Sequence, residues 1–399
     1  MVKKINLYPK REAFGANEVN ALKKVISYYR KKKEDPPYKG KFEKELSYKF
    51  SSFMNKGYAL PVSSGTSASY VAIQSLLLKK GNEILISPVN DSGPINCIIS
   101  LGLKPRLCDT HPNSYNVKLE NIQKSITKKT KAVMVSHIAG ETSQIYKIKN
   151  FLKKRKIFLI EDCSQAPGSK CFSCEKRCKP CYTKKAGEFG DVSFFSTMYR
   201  KSIASGGSGG IVFTKNKKIF KNILRASDRG KEPWKKINQN DPSLAKFPAL
   251  NHNTNEFSCA ISLSSLKRLN KTNNLRKKYL KFFIKELNEN SKACLPYNFH
   301  NDFAPFFFPI KVDKTKIKVS KNKFAFELSK IGVPLLPEYN CIVPKWKWAR
   351  KYFSNFSSPN ALNFSKNSFN LFLNEKFRIR EMKEIVRLIC KIEKKYIKY

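Results

Sequence analysis

The chain has no run of about 18 consecutive apolar residues, so no membrane-crossing helix is expected. Its first residues, Met1-Val-Lys-Lys-Ile-Asn-Leu-Tyr-Pro-Lys-Arg11, lack the apolar centre of a secretory signal, and the expectation is a cytoplasmic protein. Acidic side chains are scarce: 30 Asp and Glu stand against 78 Lys and Arg, a formal charge of +48. A field of that sign draws polyanions, whether nucleic acid, an anionic membrane face or a phosphorylated substrate. The basic stretches, such as Lys31-Lys-Lys-Glu34 and Lys394-Lys-Tyr-Ile-Lys-Tyr399, are scattered and form no single arm. That pattern is a general drift toward lysine; nucleic-acid binding is not expected, although the field still favours an anionic substrate. There is no internal repeat and no long low-complexity linker. Eleven cysteines are too dispersed over 399 residues for a disulfide scaffold and fit a reducing compartment.

What is present is a regular alternation. With 41% hydrophobic residues the chain can bury a full core, as two domains rather than one. Helical patterns over 11–30 and 42–53 flank the break at Asp35-Pro-Pro-Tyr-Lys-Gly40. Strand-like segments follow at 57–62, 83–87, 104–109, 131–137, 156–162, 191–196 and 210–214. Helical segments lie between them, including one from Ser67 to about Leu78. The fold class this predicts is α/β, a large mostly parallel sheet with flanking helices. A long helix from Glu256 leads into a smaller C-terminal α+β domain. The expected division is 1–255 for the large domain, carrying a cysteine-rich insertion at 170–185, and 256–399 for the connecting helix and small domain.

Three segments carry chemistry. Ser63-Ser-Gly-Thr-Ser-Ala68 sits where a strand gives way to a helix, whose free N–H groups and positive dipole end suit an anion. Thr66 and Ser67 are thus candidate phosphate ligands, although the same motif is an ordinary helix cap in many proteins. Asp162 closes the strand Ile157-Phe-Leu-Ile-Glu-Asp162 and points into the crevice where α/β proteins bind ligands. A carboxylate there can keep a pyridine nitrogen protonated. Lys201 lies 39 residues later, before a turn containing Gly206, Gly207, Gly209 and Gly210. A lysine that attacks an aldehyde must lose a proton, which requires a partly desolvated site. Ser196, five residues before it, can direct a hydroxyl to a phosphate. Lysine, aspartate and Ser-Gly-Thr turn together describe a pyridoxal phosphate (PLP) site. Separately, Cys171, Cys174, Cys178 and Cys181 form two Cys-x-x-Cys pairs in an eleven-residue stretch, a spacing that suits structural zinc ahead of an iron–sulfur cluster, with free thiols or a redox disulfide as the alternative.

In order along the chain, several segments resemble the DegT–DnrJ–StrS family of sugar aminotransferases. They are Pro36-Pro-Tyr-Lys-Gly40, Ser63-Ser-Gly-Thr66, Gly102-Leu-Lys-Pro105, Lys129-Thr-Lys-Ala132, Ile160-Glu-Asp-Cys-Ser-Gln165, Gly190-Asp-Val-Ser193, the Lys201 loop, Glu256-Phe-Ser-Cys259 and Leu371-Phe-Leu-Asn-Glu375. The resemblance implies the fold type I architecture of PLP enzymes, with Lys201 bearing the cofactor, Asp162 on its ring nitrogen and Gln165 near its phenolic oxygen. Thr66, Ser67 and Ser196 would bind phosphate, and Asn251 would reach the phosphate of the neighbouring subunit of a homodimer. The implied activity is transfer of an amino group, from glutamate, to a keto carbon of a nucleotide-linked sugar. Lysine at 201 argues for transamination, since a branch of the family with histidine there dehydrates sugars. A sugar dehydratase or other family member, and a non-catalytic polyanion-binding or regulatory descendant, are the runner-up readings. The loop Val89-Asn-Asp-Ser-Gly-Pro94 lacks the aromatic residue that usually stacks on the cofactor. His137 is either a pocket residue or core; Phe306-Phe-Phe308 reads as core or interface.

Overall fold

The computed structural model describes residues 7–9, 11, 14–172, 183–231 and 242–398. Two helices come first, α1 (Ala16–Lys32) and α2 (Lys41–Phe53). Gly40 precedes α2 because a Cβ there would lie 2.5 Å from Tyr29 Oη and 2.6 Å from the Glu256 carboxyl. That carboxylate accepts the N–H groups of Phe42 and Glu43 at 2.9 and 2.8 Å, filling free donors at the helix start with negative charge.

Strands and helices then alternate: β1 (Tyr58–Val62), α3 (Gly65–Gln74), β2 (Glu83–Ile86), α4 (Ser92–Ser100), β3 (Lys104–Leu107), α5 (Leu119–Ser125), β4 (Thr130–Ser136), α6 (Ile145–Lys154) and β5 (Phe158–Asp162). A hairpin of β6 (Lys170–Phe172) and β7 (Thr183–Lys185) precedes β8 (Val192–Ser196), β9 (Gly210–Thr214) and α7 (Lys217–Ser227). Seven of these strands form one sheet in the order β1-β9-β8-β5-β4-β2-β3. From β8 to β3 every pairing is parallel, and β9 runs antiparallel to both its neighbours. All seven strands expected from the sequence are in this sheet. Their buried runs, four buried positions of five in β5 and five of five in β9, suit a sheet covered on both faces.

Helix α8 (Glu256–Asn290) crosses from this sheet to a second, antiparallel one. That sheet takes β10 (Cys294–Pro296) and β11 (Phe307–Val312), then, after α9 (Lys321–Lys330), β12 (Leu335–Leu336) and, after α10 (Pro359–Asn367), β13 (Ser368–Phe372). Helix α11 (Ile379–Tyr396) covers it, burying Met382, Ile385, Val386, Ile389 and Ile392 on one stripe. The fold is therefore α/β, a large mostly parallel mixed sheet with flanking helices plus a smaller C-terminal α+β part, as expected. Two helix boundaries differ. α1 starts at Ala16 and not at 11, and α3 stops at Gln74 because Leu77 takes a left-handed φ of 52°. Among the described residues no helix is long and apolar enough to cross a membrane.

Candidate active site

The C-terminal ends of β2, β4 and β5 and the turn after β8 meet at one crevice. Asp162 ends β5 and is 9% exposed. Its Oδ1 accepts the Ser164 N–H at 3.0 Å, and its Oδ2 accepts Ser136 Oγ–H at 3.4 Å. Burial pushes its carboxyl above the usual range, against the pull of the Ser164 hydrogen bonds and the charge of Lys201. A cation brought to its free edge would restore the ionised form.

Its neighbour Glu161 faces the other way, as successive strand residues must. Its oxygens accept the N–H groups of Gly187, Phe189 and Gly190 at 2.9, 2.9 and 2.5 Å, and pair with His137 Nε2 at 2.9 Å. This places His137 in the core. Cys163 lies close to the same pair. Glu161 is saturated by backbone donors, so the trio is a structural anchor and not a metal centre.

Lys201 is half-buried, its amine enclosed 4.9 Å from the centroid of the Phe306 ring. Burial lowers its pKa, with Asp162, Asp91 and Cys341 opposing in that order. The loop that carries it is closed by backbone bonds from Thr197 to Gly209, Tyr199 to Gly207 and Lys201 to Met198. Phe306 thus joins the pocket instead of serving only as core. Asn90, 2% exposed, donates Nδ2–H to Ser136 Oγ at 3.0 Å and so continues the chain of hydrogen bonds to Asp162.

An anion cup lies beside these groups. Ser64 caps α3 by accepting the Ser67 N–H at 2.9 Å, and the hydroxyls of Ser63 and Ser64 both reach Ser67 Oγ at 2.9 Å. A Cβ at Gly65 would lie 2.7 Å from Ser196 Oγ, and one at Gly93 2.6 Å from Thr66 Oγ1. The two glycines therefore let the hydroxyls of Ser196 and Thr66 close in on the starts of α3 and α4. Gln165 is held by its Oε1, which accepts the Ala139 N–H at 2.9 Å, and its Nε2 donates to Tyr339 Oη at 3.2 Å.

The structure brings Lys201, Asp162, Gln165, Ser196, Thr66 and Ser67 to one end of the large sheet. Asn251 stands apart: it is exposed, bridges Asp228, and its Oδ1 accepts from Asn253. Of the cysteine set, Cys174, Cys178 and Cys181 lie outside the described residues. Cys171 is on β6, half-buried, its thiol pushed up to about 11 by burial.

A crevice edged by a lysine whose pKa burial lowers, a buried carboxylate and a hydroxyl-lined helix start fits pyridoxal phosphate in each of its three polar parts. The family model for DegT/DnrJ/EryC1/StrS aminotransferases matches residues 23–390. The chain belongs to that family. Among relatives, it is similar to the GDP-perosamine synthase of Vibrio cholerae, 28% identical over 264 residues, 66% of each chain. The GDP-perosamine synthase of Escherichia coli O157:H7 is 31% identical over 192 residues, 48% of this chain. These matches span 66% and 50% of the two relatives' own lengths. A solved GDP-4-keto-6-deoxymannose-3-dehydratase with a trapped PLP-glutamate geminal diamine superposes with a TM-score of 0.82 at 23% identity, covering 96% of this chain and 100% of that one. The DegT-type fold is therefore shared over nearly the whole length. A structural zinc gains no support from these relatives.

Sequence reasoning missed Ser136, Asn90, Asp91, Tyr339 and Cys341. Ser136 was signalled by its place at the end of β4, next to the strand that Asp162 closes. The others reach the pocket through contacts between distant segments, such as the Val89–Ile342 bridge.

Proposed function

We propose that this DegT-family chain is a pyridoxal-phosphate-dependent aminotransferase that places an amino group from an amino acid, glutamate by resemblance, on a keto carbon of a nucleotide-linked sugar. The observation that carries this is the pairing of Lys201 and Asp162, one a half-buried amine lying over Phe306 and the other a buried carboxylate at the end of β5, each acting on the other's charge. Bound cofactor would supply an electron sink for negative charge at the donor's α-carbon. Asp162 would hold the proton on the ring nitrogen, oriented by Ser136 and Ser164. Thr66, Ser67, Ser196 and the start of α3 would hold the phosphate, and Gln165 would lie at the phenolic oxygen. Lys201 Nζ, with its proton affinity lowered by burial, would take the proton from the donor's α-carbon and hand it on.

The GDP-sugar chemistry in the relatives' names supports a nucleotide sugar as acceptor, and the positive charge of the chain suits its diphosphate. Lysine at 201 favours amino transfer over dehydration. Exposed Asn251 suits a phosphate contact across a homodimer, with a cytoplasmic setting and a division of the chain at 255/256. A zinc held by Cys171, Cys174, Cys178 and Cys181 would tie Cys171 of β6 to the three cysteines that follow it in sequence. The test is amino transfer by the purified protein from glutamate to GDP-4-keto-6-deoxymannose and to other nucleotide ketosugars. Formation of an amino sugar with matching 2-oxoglutarate is expected. A deoxysugar product, or no turnover of any ketosugar by cofactor-loaded protein, would refute the assignment.

A further inference from the structure

Against the backbone of Lys201 and the side chain of Ser202 lies a cluster of charge that the reaction as described does not use. Arg276 of α8 is 2% exposed. Its Nη1 donates to Ser202 Oγ at 2.9 Å and to the Pro305 carbonyl at 3.4 Å. Ser202 follows Lys201 and Pro305 precedes Phe306, so one guanidinium ties both the residue bearing the amine and the ring beneath that amine. Its other edge meets Glu375, with Nε and Nη2 donating to Oε2 at 3.3 and 2.9 Å. Glu375 also accepts Arg11 Nε–H at 2.9 Å through Oε1, and Arg11 Nη1 donates to the Lys201 carbonyl at 2.6 Å. Burial pushes the Glu375 carboxyl up, yet Arg276 and Arg11 together hold it down at about 2.

Four distant parts of the chain therefore converge on one backbone unit: the segment before α1, the middle of α8, the entry to β11 and the exit from β13. Two guanidiniums sharing one carboxylate are rigid, because planar donors engage its two oxygens in fixed directions. Buried ionic groups of this kind add little net stability over apolar packing, so geometry is the better account of their presence.

We propose that Arg276, Glu375 and Arg11 are positioning residues that clamp the Lys201 turn and hold its amine over Phe306, out of water. The proposal rests on the reading of Lys201 as the cofactor-bearing amine. The groups that act on that amine are Asp162 from β5, Asp91 from the loop after β2 and Cys341 from the segment after β12, and none of them belongs to the clamp.

The test measures the midpoint of pH-dependent labelling of Lys201, by reductive methylation and peptide mapping, in the full-length protein and in Glu375→Gln and Ser202→Ala. Pyridoxal phosphate uptake is followed in parallel by absorbance. Release of the clamp lets water reach the amine, so both variants are expected to shift the midpoint upward by about 0.5–1 unit and to slow uptake several-fold. Ser202→Ala changes no charge and removes only a hydroxyl, which keeps the test valid should Glu375→Gln fold poorly. Loss of the Glu375 charge acting only through space would move the midpoint downward. A downward shift in Glu375→Gln, or an unchanged midpoint in Ser202→Ala with only a lower melting temperature, would overturn the proposal. Failure of the wild type to take up cofactor would sink the functional reading, while the labelling midpoints would still decide the clamp.

Discussion

Glu161 and Asp162 are adjacent carboxylates on one strand, and they have opposite fates. Glu161 is saturated by three backbone N–H groups and His137, whereas Asp162 has one backbone N–H and a long hydroxyl contact. The period of two along β5 sends one into the core as an anchor and leaves the other facing the crevice, where the charge of Lys201 only partly offsets its burial.

Burial of that carboxylate has a cost in the cofactor-free protein. The folded pKa of Asp162 lies above its unfolded value, so the folded state binds more protons and loses stability as pH rises between those two values. Asp162→Asn removes that penalty. At pH 7 the cofactor-free variant should melt higher than cofactor-free wild type, and the gap should close as pH falls toward the ordinary carboxylate range. Scanning calorimetry of both proteins from pH 4 to 8 checks this. The same variant should lose about 100-fold or more in kcat, because no carboxylate would then hold the proton on the ring nitrogen.

Glu161→Gln should behave in the reverse sense. It weakens charge-assisted bonds to Gly187, Phe189, Gly190 and His137 and should destabilise the fold by about 3 kcal/mol. Denaturant unfolding reads the loss directly. The residual folded protein should keep most of its turnover.

Gly65→Ala and Gly93→Ala test the anion cup. The Gly93 methyl would push Thr66 Oγ1 aside, whereas the Gly65 methyl would meet Ser196 at both Oγ and Cβ, 2.7 and 2.8 Å away, and must also displace the end of β8. Neither glycine has a positive φ, so the backbone tolerates alanine. The expected result is a cofactor Kd raised about tenfold in both, one lost hydrogen bond's worth, with the melting temperature of the cofactor-free protein unchanged in Gly93→Ala and lowered in Gly65→Ala. Equilibrium dialysis against pyridoxal phosphate provides the number.

Much of this was legible in the chain itself. The seven strands of the large sheet announced themselves as short, mostly apolar runs alternating with helical patterns. The crevice followed from Asp162 at a strand end and Lys201 before a glycine-rich turn. Helix α7 was legible too, since Asn216 caps it by accepting from Lys218 and Ile219, but that signal went unread. The small strands were harder. β10 is three residues and β12 two, held by pairing with β11 and β13 across long separations, and no local periodicity marks so short an element. The same reason hid Phe306 and Arg276. Their apolar ring and surface-type charge acquire a role only when α8 and β11 fold back on the Lys201 turn.

The most direct measurement is borohydride reduction of the protein incubated with pyridoxal phosphate, followed by peptide mapping. The account predicts a yellow protein that bleaches on reduction, with one modified peptide in which cleavage after Lys201 is blocked, and no label in Lys201→Ala. Label spread over several surface lysines, or an equal yield in Lys201→Ala, would contradict it.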